Sequence, residues 1–272
     1  MGKKISLFSS VVVALLVVAC STNPITGRKT LNLVSENEMQ SMAKTQYRQF
    51  LNENKVANPN SSRDAEMVQR VGSRVAQAVT QYYQKQGLGD YLAGYQWEYN
   101  LVQNNEANAW CMPGGKIVVY SGLLPITQNE AALAVVVGHE VAHAVARHST
   151  ERMSNSLIQQ LGGVALSVAL SNRPAETQNM FMGLYDVGSA VGYALPHGRN
   201  QELEADKLGL RYTALAGYNP REAIGLWTRM MQAGGGNRPP EFLSTHPAEQ
   251  RRINELNKIM DETIKNYYRP RK

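Results

Sequence analysis

Apolar and polar residues alternate along this chain with two different periods, and the periods change at recognisable turn signals. Ser35 followed by Glu38 is a capping-box pair that opens a predicted helix running to about Asn52. After the polar run NENKVANPNSSRD, Val68, Val71, Val75 and Val79 mark one face of a second helix. In YQWEYNLV the residues Trp97, Tyr99 and Leu101 fall on one side, which is strand periodicity. KIVVY, from Lys116 to Tyr120, is a second β-branched run behind the turn residues Pro113, Gly114 and Gly115. These two runs are expected to pair in a small, mostly antiparallel sheet. Thr127 and Glu130 form another capping box, and the helix they open contains AALAVVVGHEVAHAVARHST. Two apolar segments with glycines follow, LIQQLGGVALSVAL and NMFMGLYDVGSAVGYAL. Each is interrupted or too short to cross a bilayer, so both read as core helices. Asn200 starts a helix that Gly217 stops, Asn219, Pro220 and Glu222 signal the next, and Ile253, Leu256, Met260 and Ile264 are in phase on a last one. The pattern predicts an α+β fold, mainly helical, in one domain with a small sheet.

The N-terminal residues stand apart from that core. Lys3 and Lys4 precede an apolar run from Ile5 to Val18, which is too short for an ordinary membrane span and reads as a secretory signal. Its end, VVAC, resembles a bacterial lipobox, in which cleavage leaves an acylated Cys20. The expected organisation is a signal peptide over 1–19, a lipid-anchored tether over 20–34 and one domain over 35–272. Serine rather than aspartate after the cysteine favours the outer membrane of a Gram-negative cell. The formal charge of +6 falls to +4 without Lys3 and Lys4, and no basic run remains, which argues against a nucleic-acid partner. Cys111 is then the remaining cysteine, so no disulfide framework is expected.

The chemistry is concentrated in GHEVAH. On a helix His139 and His143 are one turn apart on one face, a spacing that lets two imidazoles bind one Zn²⁺ with Glu140 beside the metal. The surrounding valines and alanines argue that this helix is buried, and buried imidazoles and a carboxylate need partners, which a metal supplies. His148 lies nine residues beyond His139, on the opposite side of a continuous helix, and is expected at the surface or in a second layer. In QELEAD, Glu202 and Asp206 share a helix face while Glu204 is turned away from it. Spacing leaves open which of Glu202 and Asp206 ligates and which orients a histidine.

HEVAHAVARHS, followed about sixty residues later by QELEAD, resembles metallopeptidase family forty-eight, the family of the CAAX prenyl proteases and the mitochondrial Oma-type proteases. NEANAWCMPGGKIVVYSGLL, STHP and the N-terminal TNPITGRKTLNLVS are similar to its bacterial periplasmic lipoprotein branch. The resemblance implies a zincin-like domain with its sheet packed beside the HExxH helix. It implies His139, His143 and Glu202 as ligands of one Zn²⁺, Asp206 as the carboxylate behind them, and Glu140 as general base. His246, in STHP, is either a hydrogen-bond donor to the oxyanion or an ordinary helix-start residue. KIVVY is expected to offer a strand edge to an extended substrate, with Asn108, Lys116, Ile117 and Val118 as substrate-binding residues. LPHGRNQE departs from the family pattern and leaves His197 as a histidine on the cleft wall. The expected activity is zinc-dependent endopeptidase cleavage of unfolded or misfolded envelope proteins, on the periplasmic side of the outer membrane and near its assembly machinery. The alternatives are a lipoprotein chaperone with a regulatory zinc site and a zinc hydrolase acting on cell-wall amides.

Overall fold

Capping and apolar spacing set most of the helices where the sequence places them. The structure is a computed structural model that describes residues 20–161, 198–235, 240–247 and 249–270. A short hairpin, β1 (Cys20–Thr22) and β2 (Lys29–Leu31), leads into α1 (Glu36–Glu53), whose Ser35–Glu38 capping box is formed in full. Helix α2 (Arg63–Lys85) buries Val68, Val71, Val75 and Val79, as their spacing demands. Strands β3 (Glu98–Val102), β4 (Ala109–Met112) and β5 (Lys116–Tyr120) form one sheet in the order β3-β5-β4. A short helix α3 (Leu124–Thr127) precedes α4 (Glu130–Val145), α5 (His148–Leu161) and α6 (Arg199–Leu215). The chain ends in α7 (Glu222–Gly234), α8 (Phe242–Thr245) and α9 (Gln250–Tyr267).

The sheet separates two apolar layers. Leu101, Ala109, Cys111, Ile117 and Val119 face α2 and α4, while Val102, Trp110, Met112, Val118 and Tyr120 face Met39, Tyr47 and Phe50 of α1. Alternation along each strand therefore buries both faces. Strand β5 pairs in parallel with β3, Glu98 opposite Lys116, and antiparallel with β4, Met112 opposite Lys116. The two runs expected to pair do so, but in parallel. The antiparallel partner is β4, joined to β5 through Gly114 and Gly115 at φ of 78° and 82°, values that favour glycine.

This order corrects the expected substrate edge. Lys116, Ile117 and Val118 belong to the central strand, with both backbone edges taken, and all three are buried. Lys116 is turned inward, its Nζ donating to Gln96 O and to Glu98 Oε1. These three residues cannot add a substrate strand.

Three further differences arise where tertiary contacts decide local structure. Asn129 caps α4, its side chain accepting from Ala132 N, while Gln128 turns left-handed and Glu130 pairs with Arg70 instead of closing a box with Thr127. The helix also stops at Val145: Arg147 has φ 59°, and His148 begins a new helix with its ring against that of His143. The expected tether is packed rather than loose, with its β1–β2 loop reaching α5 and α6. The signal segment 1–19, His197, the first apolar glycine-containing segment from Gly162 onward and all of the second lie outside the described residues. Among the described residues no helix is long and apolar enough to cross a membrane.

Candidate metal centre

Helices α4 and α6 cross at two glycines. A Cβ on Gly209 would lie 2.8 Å from both Cα and N of His139, and one on Gly138 would lie 2.8 Å from Gly209 O. Thr213 Oγ1 adds a hydrogen bond to Ala134 O at 3.2 Å. Asp206 and Glu202 lie three and seven residues before Gly209, so they share its face and meet the histidines of α4.

The crossing brings four donors together. His139 Nε2 is 3.0 Å from His143 Nε2 and 3.5 Å from Glu202 Oε2, and His143 Nε2 is 3.3 Å from Glu202 Oε1. His246, at the end of α8, places its Nδ1 3.3 Å from His139 Nε2 and 3.0 Å from Glu202 Oε1. All four residues are buried, and their donor atoms lie within 4.8 Å of one another. Glu140 is buried beside them, with His246 Nε2 at 3.4 Å from its Oε1, an atom without a hydrogen-bond partner among the described residues. Behind the centre, Asp206 Oδ1 lies 3.1 Å from His139 Nδ1, and the Arg252 guanidinium grips Asp206 with two bonds of 2.7 Å. Arg252 also reaches to 2.8 Å from Glu202 Oε2 and stacks 3.7 Å over the Trp227 ring. A cavity of ≈ 390 Å³ adjoins Glu202, lined in part by Arg199, Pro247, Arg251 and Arg252.

Burial opposes a charge on every group here, and the neighbours decide the outcome. For His139 the Asp206 and Glu202 carboxylates outweigh burial and push its pKa up to about 9. For His143 burial wins over Glu202, and the ring is held well below its ordinary value. Burial would raise Glu202, yet His246 and Arg252 hold it well below the usual carboxylate range. Glu140 is raised by burial.

This donor set fits a metal. The outer nitrogen of His139 faces Asp206 and that of His143 faces His148 Nδ1 at 2.8 Å. In the neutral rings a metal requires, with the protons on those outer nitrogens, both inner Nε2 atoms carry lone pairs that face each other and the Glu202 carboxylate. A bound cation satisfies them all. Two imidazoles and a carboxylate suit zinc; with His246 as a fourth donor a tetrahedral shell would be closed, and with three donors one position stays open.

The geometry brings together His139, Glu140, His143, Glu202, Asp206 and His246. It leaves Lys116, Ile117 and Val118 within the sheet. Asn108, just before β4, is half-buried, with its Oδ1 accepting from Ala109 N and its carbonyl from Tyr120 N. His148, expected at the surface or in a second layer, is buried directly behind His143. Arg252, Trp227 and Phe242, whose ring stacks 4.4 Å from that of His246, carried no signal in sequence: nothing separates Arg252 from its exposed neighbour Arg251 except position on a helix. Cys111 is buried, and burial pushes its thiol well up.

The family model for peptidase family M48 matches residues 62–260. The mitochondrial metalloendopeptidase OMA1 of Saccharomyces cerevisiae is 35% identical over 183 residues, which are 65% of this chain and 50% of that protein. Its counterpart in Schizosaccharomyces pombe is 31% identical over 241 residues, 88% of this chain and 66% of that protein. The β-barrel assembly-enhancing protease of Escherichia coli is 27% identical over 183 residues, 62% of this chain and 37% of that protein. The chain thus spans between about a third and two thirds of the length of these relatives.

Proposed function

The chain belongs to peptidase family M48, and on that premise we propose that it is a zinc-dependent metalloendopeptidase of the bacterial envelope. The observation that carries this reading is the buried convergence of His139, His143, Glu202 and His246, with Glu140 beside them. His139, His143 and Glu202 would hold the ion, and Asp206 keeps His139 oriented from behind. Bound zinc supplies Lewis acidity toward a peptide carbonyl and makes water a better nucleophile at neutral pH. Glu140 takes the proton of the attacking water as the new C–O bond forms, and returns it to the amine nitrogen as the C–N bond breaks. His246 donates a hydrogen bond to the oxyanion that forms between those steps. Substrate would enter from the cavity next to Glu202, and Asn108 would contact it. Asn108 is partly exposed at the sheet end, one residue from Ala107, whose carbonyl accepts from the N–H of Phe242, the ring stacked on His246.

Zinc content and cleavage test the assignment together. Wild-type protein is expected to hold one zinc per chain and to degrade an unfolded substrate such as casein. A zinc chelator should stop cleavage and added zinc restore it. His143→Ala should lose the metal, whereas His246→Ala should keep it and slow cleavage by ~10²-fold or more, the loss of one oxyanion donor. Cleavage by zinc-free protein would overturn the reading, and loss of zinc from His246→Ala would make His246 an essential ligand.

Envelope proteins that have lost their fold are the proposed substrates. This draws on the lipobox-like VVAC and on the similarity to an Escherichia coli protease named for β-barrel assembly. Acylated Cys20 would tether the enzyme to the outer membrane from the periplasmic side. Cys20→Ala is then expected to move the protein from the membrane pellet to the soluble periplasmic fraction; continued pelleting in detergent-free buffer would remove the anchor from the proposal.

A further inference from the structure

The outer nitrogen of His143 is held by a chain of contacts that ends in the N-terminal hairpin. His143 Nδ1 lies 2.8 Å from His148 Nδ1, and His148 Nε2 lies 3.0 Å from Glu204 Oε2. Glu204 in turn accepts from Thr26 Oγ1 and from Arg28 Nε, and Arg28 Nη1 bonds both oxygens of Glu151 at 2.9 and 2.7 Å. Gln201 Nε2 fixes Glu151 from the other side at 2.6 Å.

The direction of the hydrogen bonds follows from the end of the chain. An ionised carboxylate only accepts, so His148 Nε2 is the donor to Glu204. In the neutral ring Nδ1 of His148 is then the acceptor, and the proton in that contact belongs to His143 Nδ1. A proton there leaves the His143 Nε2 lone pair facing the donor cluster, the tautomer a metal requires. Among the described residues, the outer nitrogen of His139 faces the Asp206 carboxylate directly, and that of His143 faces the Glu204 carboxylate through an interposed second histidine.

The loop that supplies Thr26 and Arg28 is built to hold them. Asn23 Oδ1 accepts from the backbone N–H groups of Ile25 and Thr26 at 2.9 and 3.1 Å, and Gly27, at φ 71°, donates to Asn23 O. These residues precede residue 62, where the match to the family model begins. His148 and Glu204 are both buried, so the contact is a packed one and not a surface pairing.

We propose that Thr26 and Arg28 of the N-terminal hairpin, Glu204 and His148 form a positioning relay that fixes the His143 imidazole for metal binding, so that the hairpin controls how tightly the metal is held. The relay rests on the zinc reading above and adds residues to it. Among the described residues, the contact between these four and the donor cluster runs through His143.

Zinc release from the full mature chain into an excess of competing chelator measures the relay without reference to cleavage. Loss of an outer partner of a metal-bound histidine costs ~10–100-fold in metal affinity. Glu204→Gln and His148→Phe are expected to release zinc faster by about that factor. Arg28→Ala, at the half-buried end, should do so by roughly 10-fold, with Arg28→Lys recovering part of it. Lys29→Ala, an exposed neighbour, should release zinc at the wild-type rate. In zinc-saturated protein the variants should lower kcat and leave KM near its wild-type value. Thermal melts of the zinc-free proteins separate positioning from folding. Faster release by Arg28→Ala with an unchanged zinc-free melt supports the relay; wild-type release, or release that only tracks lost zinc-free stability, overturns it. A wild-type chain that holds no zinc sinks the metalloenzyme reading and the relay with it. Wild-type zinc binding with unaltered release from the variants sinks the relay alone.

Discussion

Glu140→Gln is expected to leave one zinc per chain in place and to slow peptide cleavage by ~10²–10⁴-fold, the range that a positioned general base contributes. The substitution is nearly isosteric and removes the ability to take a proton. Glu140 is not one of the four converging donors, so the metal should not depend on it. The residue is 4% exposed, and burial raises its pKa, so the wild-type protein holds a carboxylate where an uncharged amide is cheaper to bury. The melting temperature of the variant should therefore match the wild type or exceed it. Loss of cleavage with loss of zinc would make Glu140 part of the metal shell, and retained cleavage in a contamination-free preparation would remove it from the mechanism. The same variant separates cutting from holding. If Glu140→Gln still supported outer-membrane protein assembly in cells, binding rather than hydrolysis would carry that role.

The centre was legible in sequence to the extent that it is local. His139 and His143 share a helix face because they are four residues apart, and Glu202 and Asp206 do the same, so each pair can be read from periodicity. Periodicity does not say which helix meets which, and it left Glu202 and Asp206 interchangeable until resemblance chose between them. The structure distinguishes them by reach: Glu202 faces the inner nitrogens, and Asp206 the outer nitrogen of His139. Arg252 was illegible because its partner Asp206 is 46 residues away. His148 does lie in a second layer, but turned toward His143 rather than to the far side of the helix, and for a different reason. Counting turns from His139 assumes an unbroken helix, and the break falls at Arg147, a non-glycine residue in the left-handed region with no local signal for it. Breaking there restarts the phase and folds His148 under His143. The strand pairing shows the same limit: alternation located β3 and β5, but their direction depends on β4 entering between them in sequence and beside β5 in space.

The contact between α4 and α6 makes the last prediction, Gly209→Ala, opposite in sign to what helix propensity alone would give. Alanine in place of glycine at an exposed position inside a helix stabilises by about 1 kcal/mol. Gly209 is inside α6, but its added Cβ would lie 2.8 Å from the backbone of His139, and backbone cannot rotate aside as a side chain can. Helix α6 would have to back away from α4. Overpacking of this kind costs ~1–3 kcal/mol, or more when the neighbour is rigid. Gly209→Val, with two further methyl groups, should fall at or above the upper end. For a chain of this size a loss of about 3 kcal/mol lowers Tm by roughly 6–12 °C. The effect on the centre should be larger than the effect on the fold. Glu202 and Asp206 ride on α6 and His139 and His143 on α4, so separating the helices pulls the carboxylates from the imidazoles. A misplacement of ~1 Å costs on the order of 10² in rate. Zinc content, Tm and cleavage should therefore all fall in Gly209→Ala, and further in Gly209→Val. A higher Tm for Gly209→Ala with zinc unchanged would show that the helices have slack at this crossing, and that the metal centre is not set by the approach of two glycines.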